Sequence, residues 1–264
     1  MAKRSKSTAL TKFDEELAKA AEAAAAQEAS AGGGQFFSLR GGTLKFNDSP
    51  LPNNEMAVVI VDSVLENTYF KDDFDPDSPQ GPDCYAFGRD EETMKPHKDV
   101  EDPEADGCAE CDLNKFGSAD RGRGKACRNR RRLALIPAGT LSKQGEFEAY
   151  EELAHFEKSP IAYLALPPTS INGYAAYVKQ VAGALKRPPY AVFTRVALVD
   201  DEKSQFKVIF ELLEPAPNEL IPTLMQRHEE SVETIEFPYL KVEETPATRR
   251  GKKAKKSKRP KRKY

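Results

Sequence analysis

The cysteines of this 264-residue chain all fall between Cys84 and Cys127, inside its most acidic stretch. Cys108 and Cys111 form a C-x2-C knuckle, GCAEC; Cys84 lies 24 residues before it and Cys127 lies 16 after it. That spacing lets two thiolates reach one ion while the turn between them aims backbone N–H groups at sulfur. Four thiolates make a closed tetrahedral zinc set, with no position left for a water. The expectation is one structural Zn2+ on Cys84, Cys108, Cys111 and Cys127. Four unrelated thiols are the alternative, and a redox C-x-x-C is disfavoured because no βαβ context surrounds it. His97 lies between the ligands, either as a substitute for Cys84 or as a solvated loop residue.

The surroundings make metal useful. Residues 72–112 hold fifteen Asp or Glu against three Arg or Lys, with many prolines. Such a segment has little to pack and is predicted to be an inserted, loop-rich subdomain. A structural zinc ion supplies on the order of 10 kcal/mol to order it. No apolar run approaches the ~20 residues of a membrane-spanning helix. The basic start, MAKRSKSTALTKF, lacks the apolar core of a secretory signal. A cytoplasmic protein without membrane contact is expected, and there cysteines are more often ligands or free thiols than disulfides.

The net charge of -2 conceals an asymmetry. Residues 249–264 carry eleven Lys or Arg and no acid, leaving 29 basic against 42 acidic residues elsewhere, a net of -13. A second cationic run, RGRGKACRNRRR, surrounds Cys127. It holds Arg121, Arg123, Lys125 and Arg128, then Arg130, Arg131 and Arg132. Once zinc fixes Cys127, these cations are held at the start of a strand, which suits phosphate binding. The competing reading is neutralisation by the acids of 72–112.

The chain has no tryptophan, so any base-stacking surface must use Tyr and Phe. Tyr69, Phe70, Tyr85 and Phe87 are candidates, and Tyr163, Tyr174 and Phe193 are placed with them in the proposed groove; each alone also suits a core. Lys179 and Arg195, with Lys186 and Arg187, extend the cationic track unless they form a solvated face. The basic C-terminal tail attracts polyanions in a salt-sensitive way.

Three parts are expected: an Ala-rich arm and Gly linker over 1–34, a folded body over 35–243 with the zinc insertion at 72–127, and a disordered basic tail over 244–264. Residues 9–29 read as a helix that docks weakly or serves self-association. In the body, short strands flank a turn at Gly41–Gly42 and a long strand covers 56–70. Further strands are expected at 133–137 and 161–166, with a short helix or ordered loop at 146–158. A helix over 167–185 is capped by Thr169 or Ser170 and buries Ile171, Tyr174, Ala175, Val178, Val181 and Leu185. Strands at 190–199 and 205–213 form a hairpin, and a last helix covers 218–232. The fold class is mainly β with a few helices (α+β): an OB-like antiparallel barrel with an inserted zinc-binding loop subdomain. A β-sandwich is the alternative.

No catalytic constellation stands out. His97, His155 and His228 are scattered, and neither a Walker loop nor HExxH occurs. No helix carries an obvious set of base-reading residues for duplex DNA.

The basic N-terminal region, the β-rich body interrupted by a C-x2-C insertion, and the return strand after GRGKACRNRRRLALIP together resemble the zinc-containing single-stranded DNA-binding proteins of tailed bacteriophages. The likeness is one of layout over about 35–215. It implies an OB-fold with a zinc subdomain and a non-catalytic DNA replication and recombination protein. Its partners would be single-stranded DNA, or RNA, and other replication or recombination proteins in the host cytoplasm. Those proteins use a mixed His/Cys set and end in an acidic tail, whereas this chain offers four cysteines and ends basic. The second functional class is a virion or interaction protein in which zinc staples a surface loop.

Overall fold

The computed structural model describes residues 35–72, 80–120 and 122–239. The expected N-terminal arm, the basic tail and Arg121 lie outside the described residues.

Among the described residues the protein is mainly β with three helices (α+β). The strands are β1 (Gln35–Ser38), β2 (Lys45–Phe46), β3 (Ser49–Pro50), β4 (Glu55–Tyr69), β5 (Cys84–Gly88), β6 (Arg128–Leu141), β7 (Phe147–Ala149), β8 (Ala162–Leu166), β9 (Val192–Asp201) and β10 (Gln205–Pro215). The helices are α1 (Leu153–Lys158), α2 (Pro168–Leu185) and α3 (Ile221–Thr234).

All ten strands join one sheet in the order β10-β9-β4-β6-β8-β1-β2-β3, with β5 added to β4 and β7 to β6. This sets aside the two-sheet sandwich. The sheet is mixed, because β1 runs parallel to β8 while the other pairs are antiparallel. Its strands do not close into a ring of hydrogen bonds among the described residues, so of the expected OB-like antiparallel barrel the structure bears out the mainly β, α+β class and not the barrel. It curls nonetheless. Leu44, between β1 and β2, and Val208 on β10 share one core although they stand near opposite ends of the strand order.

β4 explains the two-sided core. Its residues from Glu55 to Val61 are all buried, so it reads as a continuous apolar run rather than a half-exposed strand. Successive side chains point to opposite faces. Val58 and Ile60 enter the core under α2, whereas Val59 and Val61 enter the one under α1 and α3. β10 shows the alternation read from the sequence, with Phe206, Val208, Phe210 and Leu212 all turned to the α2 side.

Local signals explain the helix ends. Ser170 does not cap α2. Pro167 takes that place, with Pro168 as the first helical residue, where a missing N–H costs nothing. The Ser170 hydroxyl accepts a bond from Val208 N at 2.9 Å, satisfying a donor on β10. Lys186 ends α2 in the left-handed conformation, φ 55°, two residues before the prolines expected to close it. The buried stripe also includes Tyr177, whose hydroxyl meets Thr194 Oγ1 at 2.6 Å.

Two boundaries move in ways that matter for function. β6 begins at Arg128, not Leu133, so the arginine run is itself strand. The acidic insertion is also not coreless. Cys84 opens β5, and Tyr85, Ala86, Phe87 and Met94 are buried. Its first part belongs to the main sheet because β5 pairs with the end of β4, Cys84 opposite Tyr69. The segment at 146–158 resolves into both β7 and α1.

Candidate metal centre and nucleic-acid interface

The four cysteines come from three places in the chain and line a single cavity, together with Asn67, Tyr69, Leu113 and Asn114. Its volume of about 20 Å³ is room for one water-sized body. Cys84 is fixed by β5. Cys108 is placed by its N–H, which donates to Met94 O at 2.9 Å. Cys127 donates to Leu113 O at 2.9 Å immediately before β6 begins. Asn114 Nδ2 donates to Cys108 O at 2.8 Å, and the same side chain's oxygen accepts from Lys125 Nζ at 3.2 Å and Asn129 Nδ2 at 2.9 Å. One asparagine therefore ties the knuckle to β6. His97 does not line the cavity; its ring stacks on Tyr85, and Nδ1 lies 3.1 Å from the Tyr85 hydroxyl.

All four thiols are free and half-buried. Burial pushes the Cys84 and Cys108 thiols up, and pushes Cys127 to about 12; the charges of Cys108, Cys111 and Cys84 add to the rise at Cys127. Thiolates crowded into one cavity repel one another without a cation, and a thiolate set around a divalent ion is the chemistry that relieves it. The donor set fits zinc. Among the described residues no group of three or more His, Cys, Asp or Glu side chains already stands ready to hold a metal ion. Convergence on one cavity is therefore present, and finished coordination geometry is not.

Strand alternation divides the arginine run. In the ladder with β4, Arg128 stands opposite Thr68, Arg130 opposite Glu66 and Arg132 opposite Val64; Arg131, opposite Leu65, turns to the other face. Arg132 is 3% exposed. It pairs with Glu66 at 2.6 Å, donates to Ile235 O and Phe237 O, and lies 4.3 and 4.0 Å from the Phe87 and Phe237 ring centres. It is an internal pillar and not a surface cation. Arg131 is half-buried with its guanidinium 5.6 Å from the Tyr174 ring centre.

Other expected contacts are also internal. Tyr163, Tyr174 and Phe193 are buried core residues at 8%, 3% and 1% exposure, not rings on an open groove. Arg195 is clamped by Glu55 and Glu211. Lys179 is exposed on α2, the helix packed on β10 rather than on β5.

What remains is a smaller cationic surface. Arg123 and Arg128 are exposed, and Lys125 and Arg130 are half-buried. Among the described residues none of these four is in a salt bridge, whereas the acids of 72–112 engage Lys71 and Lys115. Arg128 lies 5.4 Å from the Phe70 ring centre, and Lys125 lies 5.3 Å from that of Phe116. Phe116 was absent from the sequence-derived aromatics. Its signal was a large apolar residue followed by glycine in a segment otherwise almost devoid of apolar side chains. Phe237 and Tyr239, which close over Arg132, were missed because they follow the last helix.

No helix of the described residues is long and apolar enough to cross a membrane. No family model, curated protein or solved structure matches this chain.

Proposed function

We propose that this chain is a non-catalytic, single-stranded nucleic-acid-binding protein whose cationic edge is held in place by a structural zinc ion on Cys84, Cys108, Cys111 and Cys127. The observation that carries the reading is the position of Cys127. It lines the cysteine cavity and is followed directly by β6, whose first residues are the exposed and half-exposed arginines. Metal at the cavity would fix the last thiol, and with it the strand end that presents Arg128 and Arg130.

The curled sheet is read as an OB-like platform, supported by the shared core of Leu44 and Val208. The layout favours DNA and a role in phage replication and recombination, in the host cytoplasm. The lattice of phosphates on a single strand suits cations that no acid among the described residues neutralises, and strand binding of this kind is salt-dependent.

The test measures zinc content and fluorescence polarisation on oligo-dT and matched duplex, before and after chelation. One zinc per chain, preference for oligo-dT and joint loss on chelation are expected. Equal affinity for duplex, or none for oligo-dT at low salt, overturns the proposal. An interaction protein with a zinc-stapled loop is the second reading. The observation favouring it is the acidic exterior of the insertion, where Asp90, Glu91, Glu92 and Asp102 are exposed. Loss of assembly on deleting 72–112, with nucleic-acid binding unchanged, would select it.

A further inference from the structure

We infer that Phe116 is a stacking platform for an unpaired nucleobase, an inference that rests on the nucleic-acid reading above and extends it to the metal lobe. Phe116 is 83% exposed, against 46% for the next large hydrophobic side chains among the described residues. The loop that carries it is held firmly. Gly117 N donates to Gly124 O at 2.9 Å, and Ser118 Oγ donates to Leu113 O at 2.8 Å and accepts from Ala126 N at 2.9 Å. Gly117 itself has φ +91°, a conformation that L side chains rarely adopt. The backbone thus turns sharply just after Phe116 and leaves its ring outward.

An outward ring on a braced loop does nothing for the core, and leaving it in water is unfavourable. Its surroundings indicate what covers it. Lys125 Nζ stands 5.3 Å from the ring centre while anchored to Asn114, and exposed Arg123 belongs to the same loop. An aromatic face flanked by cations matches a nucleotide: the base stacks, and its phosphates meet the cations. Every base has a π-face, so this contact is sequence-tolerant. In a duplex the bases are already stacked, so the same contact discriminates for single strands.

The chain lacks tryptophan, so Phe116→Trp in the full-length protein places a single indole at the site. Oligo-dT and oligo-rU should quench its emission saturably, whereas an abasic oligomer and matched duplex should not. Quenching by only one of the two single strands identifies which strand is preferred and supports the inference. Phe116→Ala should weaken oligo-dT binding about thirtyfold, the middle of the range for one stacked base, with an unchanged salt slope. Oligo-dT binding seen by polarisation with unaltered indole emission overturns the stacking site while leaving the proposed function standing. Equal quenching by abasic or duplex oligomers also overturns it. Absence of oligo-dT binding by the wild-type chain removes both readings.

Discussion

Glu66 on β4 and Arg132 on β6 form a buried ion pair at 2.6 Å, diagonal to the strand register rather than directly across it. Tyr239 donates its hydroxyl to the same carboxylate oxygen, and the arginine lies beside the Phe87 and Phe237 rings. A residue within a cationic run thus fastens the segment after α3 onto the sheet. A guanidinium suits this place because it is planar, stacks on rings and donates in several directions.

Breaking that pair is expected to be costly. Glu66→Gln or Arg132→Ala should destabilise the protein by about 3–5 kcal/mol, the range for stranding one partner of a buried pair. Arg132→Lys should also destabilise, since an ammonium cannot stack and reach both carbonyl oxygens. Urea denaturation monitored by circular dichroism measures this. Oligo-dT affinity of the folded fraction should be unchanged.

The exposed cations should behave in the opposite way. Arg123→Ala and Arg128→Ala should each lower the slope of log K against log salt by about 1, with stability altered by less than about 0.5 kcal/mol. Arg195→Ala should leave that slope alone and weaken the fold, because it strands Glu55, which is 8% exposed. Salt-dependent polarisation titrations separate the two groups.

Cys108→Ser and Cys127→Ser should each abolish stoichiometric zinc, measured by mass spectrometry of the metal. Limited proteolysis should then cut between Cys108 and Cys127 while β4, β6 and β9 remain protected. Asn114→Ala should keep the metal yet loosen the lobe by roughly 1–2 kcal/mol, since it removes bonds to Cys108, Lys125 and Asn129. Zinc retained by both cysteine variants would eliminate the four-thiolate centre.

The β9–β10 turn should carry an acid-sensitive contact. Bonds from Ser204 and Lys207 hold Asp201 down to about 2 from 3.8. A depressed carboxylate favours the folded state above its unfolded value. That contribution is present above pH 3.8 and disappears as pH falls toward about 2. Carboxyl carbon NMR should place the Asp201 midpoint near 2, and Lys207→Ala should move it upward.

Much of the fold was legible from local pattern. The long run at 56–70, the alternating β10, the capped-looking α2 and the closing helix all appear close to their expected limits, because periodicity and proline placement act locally. The parallel β1–β8 pair was not legible, since no local signal records that a strand before β4 returns beside one more than 120 residues later. The four cysteines line one cavity, and the acidic insertion around them is not coreless as expected, because Tyr85 and Phe87 make β5 part of the core.

The sequence by itself determined the candidate chemistry: four thiols within one segment, a dense arginine run beginning beside the last of them, and strands read from alternation and β-branched residues. Only the tertiary structure decided which arginines face water. Alternation puts Arg131 and Arg132 on opposite faces but does not say what covers either face. For Arg132 the cover comes from Ile235 and Phe237, 103 and 105 residues away, and burial beside Glu66 turns a surface charge into an internal support. The same holds for Phe116, whose exposure follows from a loop braced by Gly117 and Ser118 that leaves its ring outward.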